Sequence, residues 1–265
     1  MNLKNKTIVL TGASGGIGVE TAVLLAKQEC HLILVGRNTS KLEKVAQQLI
    51  ASNGHKPVIV SADLSSEDGR NKVTALANDV DGLINLAGVN SLALFEDMDD
   101  ADINRIMRSN LIDPMLLVRN FIPLLKNKPE AAILNVGSII GSIGMAGSVA
   151  YCASKFGLRG FTESLRRELE DTNISVSFVA PRTTQTNMNT DAASELYTAL
   201  GNSVDDPKIV AVAIVEALQN SGGVNFFLGW PEKLFVKVNA LFPKIVDSSL
   251  SKQLPIIKKH IQTKH

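Results

Sequence analysis

The sequence is short of cysteine, of aromatic residues, of net charge and of long apolar runs, and each shortage excludes something. Two cysteines, Cys30 and Cys152, are too few for a disulfide framework, so both are expected as reduced thiols in the cytoplasm. A formal net charge of +1 over 265 residues offers no electrostatic footprint for nucleic acid. No stretch approaches the ~20 apolar residues that span a bilayer. The opening Met1-Asn2-Leu3-Lys4-Asn5-Lys6 enters a strand-like run without the apolar core of a secretory signal, so none is expected. Internal repeats and low-complexity linkers are missing as well. With two tyrosines in the chain, Tyr151 and Tyr197, any tyrosine chemistry has two candidates.

What remains is apolar and periodic. Residues of the apolar types make up 45% of the chain, ample for a buried core. Short apolar runs predict strands at 7–11, 31–36, 56–62, 81–86, 131–137, 174–180 and 224–228. Between them lie helical patterns that end near Gln28, open at Thr39 or Ser40, open again near Ser66, and cover 101–125, 149–171 and 207–220. Pro114 is expected to kink or interrupt the 101–125 helix. Regular alternation of strand and helix predicts an α/β fold, a doubly wound parallel sheet of about seven strands with helices on both faces. Residues 1–230 are read as one domain and 231–265 as an appended segment. That segment holds seven lysines against Glu232 and Asp247, a balance of +5, which leaves about −4 on the first 230 residues.

After the first strand comes Thr11-Gly12-Ala13-Ser14-Gly15-Gly16-Ile17-Gly18. A glycine-rich turn between strand and helix lets backbone approach a pyrophosphate, and the helix N-terminus offers free N–H groups to the anion. The spacing is not GxGxxG, and a turn that only reverses the chain is the competing reading. The second strand ends in Gly36-Arg37-Asn38, where folds selective for NAD place a carboxylate for the ribose 2′-hydroxyl. Arg37 instead suits a 2′-phosphate, which favours NADP(H) while leaving NAD(H) open. A plain solvated arginine is the alternative.

Ser138 follows the fifth strand, and Tyr151 and Lys155 share one helix face at i, i+4. A free tyrosine, with a pKa near 10, is a poor base at neutral pH. An adjacent ammonium and a positive nicotinamide ring would favour the phenolate. Bringing the phenol near neutrality takes about 3–4 kcal/mol of differential stabilisation. Tyr151 is then expected to pass a proton to or from a substrate oxygen that Ser138 holds in place. Singly, a strand-terminal serine is a common cap and a helical lysine is commonly solvated. Tyr197 has Gly201 four residues on and lacks the lysine.

These residues resemble the short-chain dehydrogenase/reductase family. The resemblance rests on the glycine turn, Asn85-Leu86-Ala87-Gly88, Asn110, Ser138 and Tyr151-Cys152-Ala153-Ser154-Lys155, and covers about residues 5–230. It implies a Rossmann-type fold and hydride transfer between a nicotinamide cofactor and a carbonyl or alcohol, with Asn110, Ser138, Tyr151 and Lys155 as the catalytic set. For the cofactor it implies Gly12, Ser14, Gly16, Ile17 and Gly18 at the pyrophosphate, and Asp63 with its neighbour Leu64 at the adenine. Asn85, near the end of the fourth strand, and Ala87 and Gly88 after it also belong to the implied cofactor site. Lys155 holds the nicotinamide ribose beside Tyr151, and Pro181, Thr184 and Thr186 lie near the carboxamide end. The set contains no metal ligand. Asn110 matches a helix asparagine that holds a water in a proton relay with Lys155. Two departures stand out: Leu86 replaces an asparagine, and Arg182 replaces the usual glycine after Pro181. The resemblance also implies a homo-oligomer through the helices at 101–125 and 149–171.

Residues 187–203 read as a polar, mobile lid over the substrate, with Met188, Leu196, Tyr197 and Leu200 as its apolar points. In the tail, Leu234, Phe235, Val238, Leu241, Phe242, Ile245 and Val246 form one apolar stripe flanked by lysines, which Pro243 is expected to kink. A second run carries Leu250, Leu254, Ile256, Ile257 and Ile261. The tail either lies as a basic amphipathic helix on the cytoplasmic face of an anionic membrane, or packs on the domain or a partner subunit. Membrane contact would favour a lipophilic substrate. Beside the enzyme reading stand a non-catalytic NADP(H)-binding regulatory or scaffold protein, and an epimerase or dehydratase on the same fold.

Overall fold

The computed structural model describes residues 1–262 apart from 53, 78, 187, 189, 190 and 221. Its centre is a parallel sheet of seven strands: β1 (Thr7–Thr11), β2 (His31–Gly36), β3 (Val58–Ser61), β4 (Gly82–Asn85), β5 (Ala131–Val136), β6 (Ile174–Ala180) and β7 (Asn225–Phe227). Their spatial order is β3-β2-β1-β4-β5-β6-β7, every pairing parallel. The chain starts at β1, winds outward to β3, then crosses to β4 and winds the other way. Between β1 and β4 the winding reverses, and there the loops part to leave a crevice at the carboxyl ends of the strands.

The alternation of side chains along each strand divides the core in two. Ile8 and Leu10 point to the layer made by α1 (Gly16–Lys27), α2 (Thr39–Ala51) and α8 (Pro207–Gln219). Val9 points the other way, toward α3 (Glu67–Leu76), α5 (Asp113–Leu125) and α6 (Val149–Glu168), where Phe121 and Leu165 are buried. Side-chain caps start several helices: Asn38 accepts from Lys41 N at 2.9 Å, and Ser66 from Gly69 N at 3.0 Å.

Two expectations need correction. The 101–125 segment is not one helix. It is α4 (Asp100–Met107), a wide π turn over Arg108–Ile112, then α5. Pro114 has no N–H to give the carbonyl of Asn110 four residues back, and its ring crowds that carbonyl, so the turn opens there. Second, the segment read as a lid carries a helix, α7 (Asp191–Ala199), with Leu196 and Tyr197 buried; residues 187, 189 and 190 lie outside the described residues. In the tail, the helical pattern breaks at Pro243, as expected of a proline inside it. The tail forms α9 (Glu232–Leu241), α10 (Pro243–Leu250) and α11 (Leu254–Gln262). Pro243 holds Phe242 out of the helical region, at φ −137° and ψ 63°, so the chain changes direction there. α9 buries Val236, which is outside the stripe, and α10 buries Val246. In the second run, Ile257 and Ile261 of α11 pack on Leu92, Leu94, Leu196 and Leu200 of the domain. Among the described residues no helix is long and apolar enough to cross a membrane.

Candidate active site

A cleft of about 1160 Å³ opens at the carboxyl ends of the strands. Its floor begins where β1 ends. Thr11 Oγ1 accepts from the backbone N–H groups of Leu86 and Ala87, at 3.0 and 3.2 Å, and so ties the loop after β4 to the glycine turn. Gly12 sits at φ +67°, where a Cβ would come within 2.9 Å of Ala87 backbone. Any side chain there would be both strained and blocked. At Gly18 a Cβ would lie 2.3 Å from the Gly12 carbonyl oxygen. The turn is therefore tight enough to bring the start of α1 up to the cleft. No side chain caps α1 at Gly15, so its first N–H groups remain available to an anion. Ser14, Gly16, Ile17 and Gly18 line this end, and Thr186 closes over Gly16.

Along the floor, Arg37 and Lys41 line the edge beyond β2, with Asp63 and Leu64 beyond β3. Asp63 is held below the usual carboxylate range, first by hydrogen bonds from Ser65 and then by the charges of Arg37 and Arg108. At β4 the Asn85 amide donates to Asn135 Oδ1 at 2.9 Å, and Asn135 donates to Thr162 of α6 at 2.9 Å. This buried polar chain locks β4, β5 and α6 together.

The α6 helix delivers the reacting groups. Tyr151, in its first turn, and Lys155, one turn on, both face the cleft. Buried Lys155 donates from Nζ to the Val136 carbonyl at 2.9 Å, and its ammonium stands 5.8 Å from the centre of the Tyr151 ring. Ser138, at the end of β5, donates to the Pro181 carbonyl at 3.5 Å and opposes the upward shift of the Tyr151 phenol by hydrogen bonding. Asn110 is buried behind the cleft, inside the π turn. Its side-chain carbonyl accepts from Val89 N at 2.8 Å, while its amide donates to Val89 O at 2.9 Å and to Ser154 Oγ at 3.1 Å. Gly88 leaves room: a Cβ there would lie 3.1 Å from Asn110 Oδ1 and 3.6 Å from Lys155 Nζ. Asn110 therefore anchors the β4 loop to α6 under the lysine.

The chain's own residues shift both reacting groups from their ordinary values. Burial pushes the Tyr151 phenol well above its ordinary value, with the Ser138 hydrogen bond only partly offsetting it. Burial also lowers Lys155, to about 8. Within the chain, burial is the largest influence on the phenol and keeps it protonated, with only the Ser138 hydrogen bond opposing it.

The sequence pattern of the short chain dehydrogenase family matches residues 6–196. The chain belongs to this family. Its relatives include the ketoacyl reductase HetN of Nostoc, 33% identical over 82% of this chain and 77% of that protein. Another is the 3-oxoacyl-[acyl-carrier-protein] reductase FabG of Rickettsia conorii, 36% identical over 74% and 79%. A short chain dehydrogenase from Burkholderia cenocepacia, solved in complex with NADP, has the same fold, with a TM-score of 0.81 at 23% identity over 94% of this chain and 99% of that one. A metagenomic short-chain oxidoreductase solved with NADP gives 0.72 at 27% identity over 86% and 99%.

Of the residues singled out from the sequence of this short chain dehydrogenase, all but Asn110 line the cleft, including Pro181 and Thr184 on the loop after β6. Sequence reasoning missed what Arg182 does in place of glycine. Its guanidinium pairs both carboxylate oxygens of buried Asp205, at 2.7 and 3.0 Å, and reaches Glu232 of α9 at 3.2 Å. The arginine thus clamps the loop after β6 to the approach of α8 and to the tail. The tail's place, left open between a membrane, the domain and a partner subunit, is at the cleft, which Phe235, Val238, Ile245, Val246 and Leu250 line. The stripe itself was the signal, but nothing local says what a stripe will face.

Proposed function

We propose that this chain is an NADP(H)-dependent oxidoreductase acting on a carbonyl or alcohol, with Tyr151 as its general acid/base. The observation that carries the reading is the convergence of Ser138, Tyr151 and Lys155 on one cleft with the uncapped start of α1 and with Arg37. The residues suit a dinucleotide: backbone donors at Gly16, Ile17 and Gly18 for the pyrophosphate, Arg37 and Lys41 for a 2′-phosphate, Asp63 and Leu64 for the adenine end. No carboxylate stands at the end of β2 to repel that phosphate, which favours NADP(H) over NAD(H). Two solved relatives hold NADP.

A bound nicotinamide supplies or accepts the hydride. Ser138 orients the substrate oxygen, and Tyr151 gives that oxygen a proton in reduction or takes one in oxidation. The buried phenol is matched to the reduction direction, because it arrives at neutral pH carrying its proton. Lys155 holds a positive charge beside the phenolate left behind, and Asn110 keeps the loop under the lysine in place. Apolar Phe235, Val238, Ile245, Val246 and Leu250 favour a lipophilic substrate. Two buried free thiols suit a reducing cytoplasm. Exposed Ile112, Met115, Val149 and Phe156, on or beside α5 and α6, support a homo-oligomer built through those helices.

NADPH oxidation measured against a panel of ketones, aldehydes and acyl thioesters tests the reading. Tyr151→Phe should lower kcat by roughly 10³-fold or more while NADPH still binds, since it removes the proton and leaves the ring. Near-wild-type turnover in that variant sinks the mechanism.

A further inference from the structure

The turn between α9 and α10 leaves an apolar elbow in the open. Leu241 is 73% exposed, Phe242 59% and Ile245 62%. The three lie at i, i+1 and i+4, on consecutive turns of a hairpin in which α9 and α10 pack on each other. The patch extends down α9 through exposed Leu234 and Phe235 toward Trp230. Around it stand exposed Lys233, Lys237 and Lys244, with Asp247 the carboxylate on the same helices, since Glu232 is taken up by Arg182. An apolar tip ringed by ammonium groups matches the acyl edge and the anionic headgroups of a lipid surface. A second copy of the chain fits it poorly, because a two-fold contact would set these lysines against their own counterparts.

The patch is continuous with the cleft. Phe235 and Ile245 are exposed on the patch and also line the cleft, so one step past them leads from the surface to the substrate wall. We propose that the α9–α10 elbow docks on an anionic lipid bilayer and that the substrate enters the cleft from the acyl layer past Phe235 and Ile245. The docking half stands alone, whereas the entry half rests on the oxidoreductase reading above.

Full-length protein is centrifuged with phosphatidylcholine vesicles carrying about one third phosphatidylglycerol, and with pure phosphatidylcholine vesicles. The expected result is sedimentation with the anionic vesicles alone, weakened at ~1 M salt where the Debye length falls to about 3 Å. Leu241→Asp with Phe242→Asp should abolish it. Lys237→Glu with Lys244→Glu should lower the partition on the order of tenfold or more, as expected for two reversed surface charges. All four side chains are exposed and outside the cleft, and equal thermal melts establish that the variants fold. Protein that stays in solution, that binds neutral vesicles equally well, or that keeps its binding in both variants overturns docking. A dimer that Leu241→Asp breaks, in protein that ignores vesicles, overturns it too. For entry, vesicles holding a long-chain aldehyde should speed its reduction several-fold by the wild type and not by the aspartate variant, while both reduce a short soluble aldehyde equally. Equal rates on the long aldehyde overturn entry. Failure on both aldehydes would tell against the oxidoreductase reading and leave the sedimentation result standing.

Discussion

The glycine turn and the C-terminal helices line one cleft, yet they are held in opposite ways. The floor is made of strand ends, with backbone contacts too close for a Cβ at Gly12 and Gly18 and a buried chain of amides from Asn85 through Asn135 to Thr162. Such a surface has one arrangement, because each buried polar group is committed. The far wall is a hairpin of helices with exposed apolar side chains, fixed to the domain by Asn239 donating to Ser142 O at 3.0 Å, by the Arg182 clamp and by α11 on α7. A family's shared chemistry belongs on the first kind of surface, and the choice of substrate on the second.

That contrast can be broken. Lys155→Met, on the floor, should cost about 10²–10⁴-fold in kcat with every substrate alike, by removing the charge beside the phenolate. In the wild type the reduction rate should fall as pH rises through about 8, because the lowered lysine is charged below that value and neutral above it. A pH limb that persists unchanged in Lys155→Met would assign it to another group. Next in size is Arg182→Ala, which strands the buried Asp205 carboxylate. Unfolding in urea should lose about 3 kcal/mol, the low end for breaking a buried pair. A loss under ~1 kcal/mol would mark the clamp as an ordinary solvated pair. Arg37→Asp should raise the KM for NADPH roughly 10–100-fold and leave NADH little changed. Equal loss for both would remove the 2′-phosphate role. Smallest is Phe235→Ala on the far wall, expected to raise KM a few-fold for long apolar substrates and leave kcat on short ones alone. If instead it lowered kcat for all substrates, the division between the two walls would fail.

The strands were legible because buried parallel strands read as short apolar runs, and those runs are local. β1, β2 and β6 carry the expected residues, while β3 and β4 are each trimmed at both ends. The glycine turn was legible for the same reason: its demands are set by near neighbours in the chain. Pro114 announced an interruption, but not that the opened turn would bury Asn110 against Val89 and Ser154, since both partners come from elsewhere in the fold. The polar look of 187–203 hid α7, whose Leu196 is buried only because Ile257 and Ile261 arrive from sixty residues away. Tyr151 and Lys155 were legible as a pair on one helix face, but the burial that raises the phenol and lowers the lysine comes from the packing of the whole site.

By itself the sequence determined a parallel doubly wound sheet, a turn able to cradle an anion, and a tyrosine and lysine on one helix face. All three follow from periodicity and steric rules that act over a few residues. Tertiary structure alone decided what closes the cleft. Arg182 finds Asp205 and Glu232, α11 covers α7, and the tail lays Phe235, Val238, Ile245 and Val246 along the cleft while leaving Leu241 and Phe242 to solvent. Those outcomes depend on which distant surfaces meet, and a pattern of side chains along one helix carries no record of what the helix will be packed against.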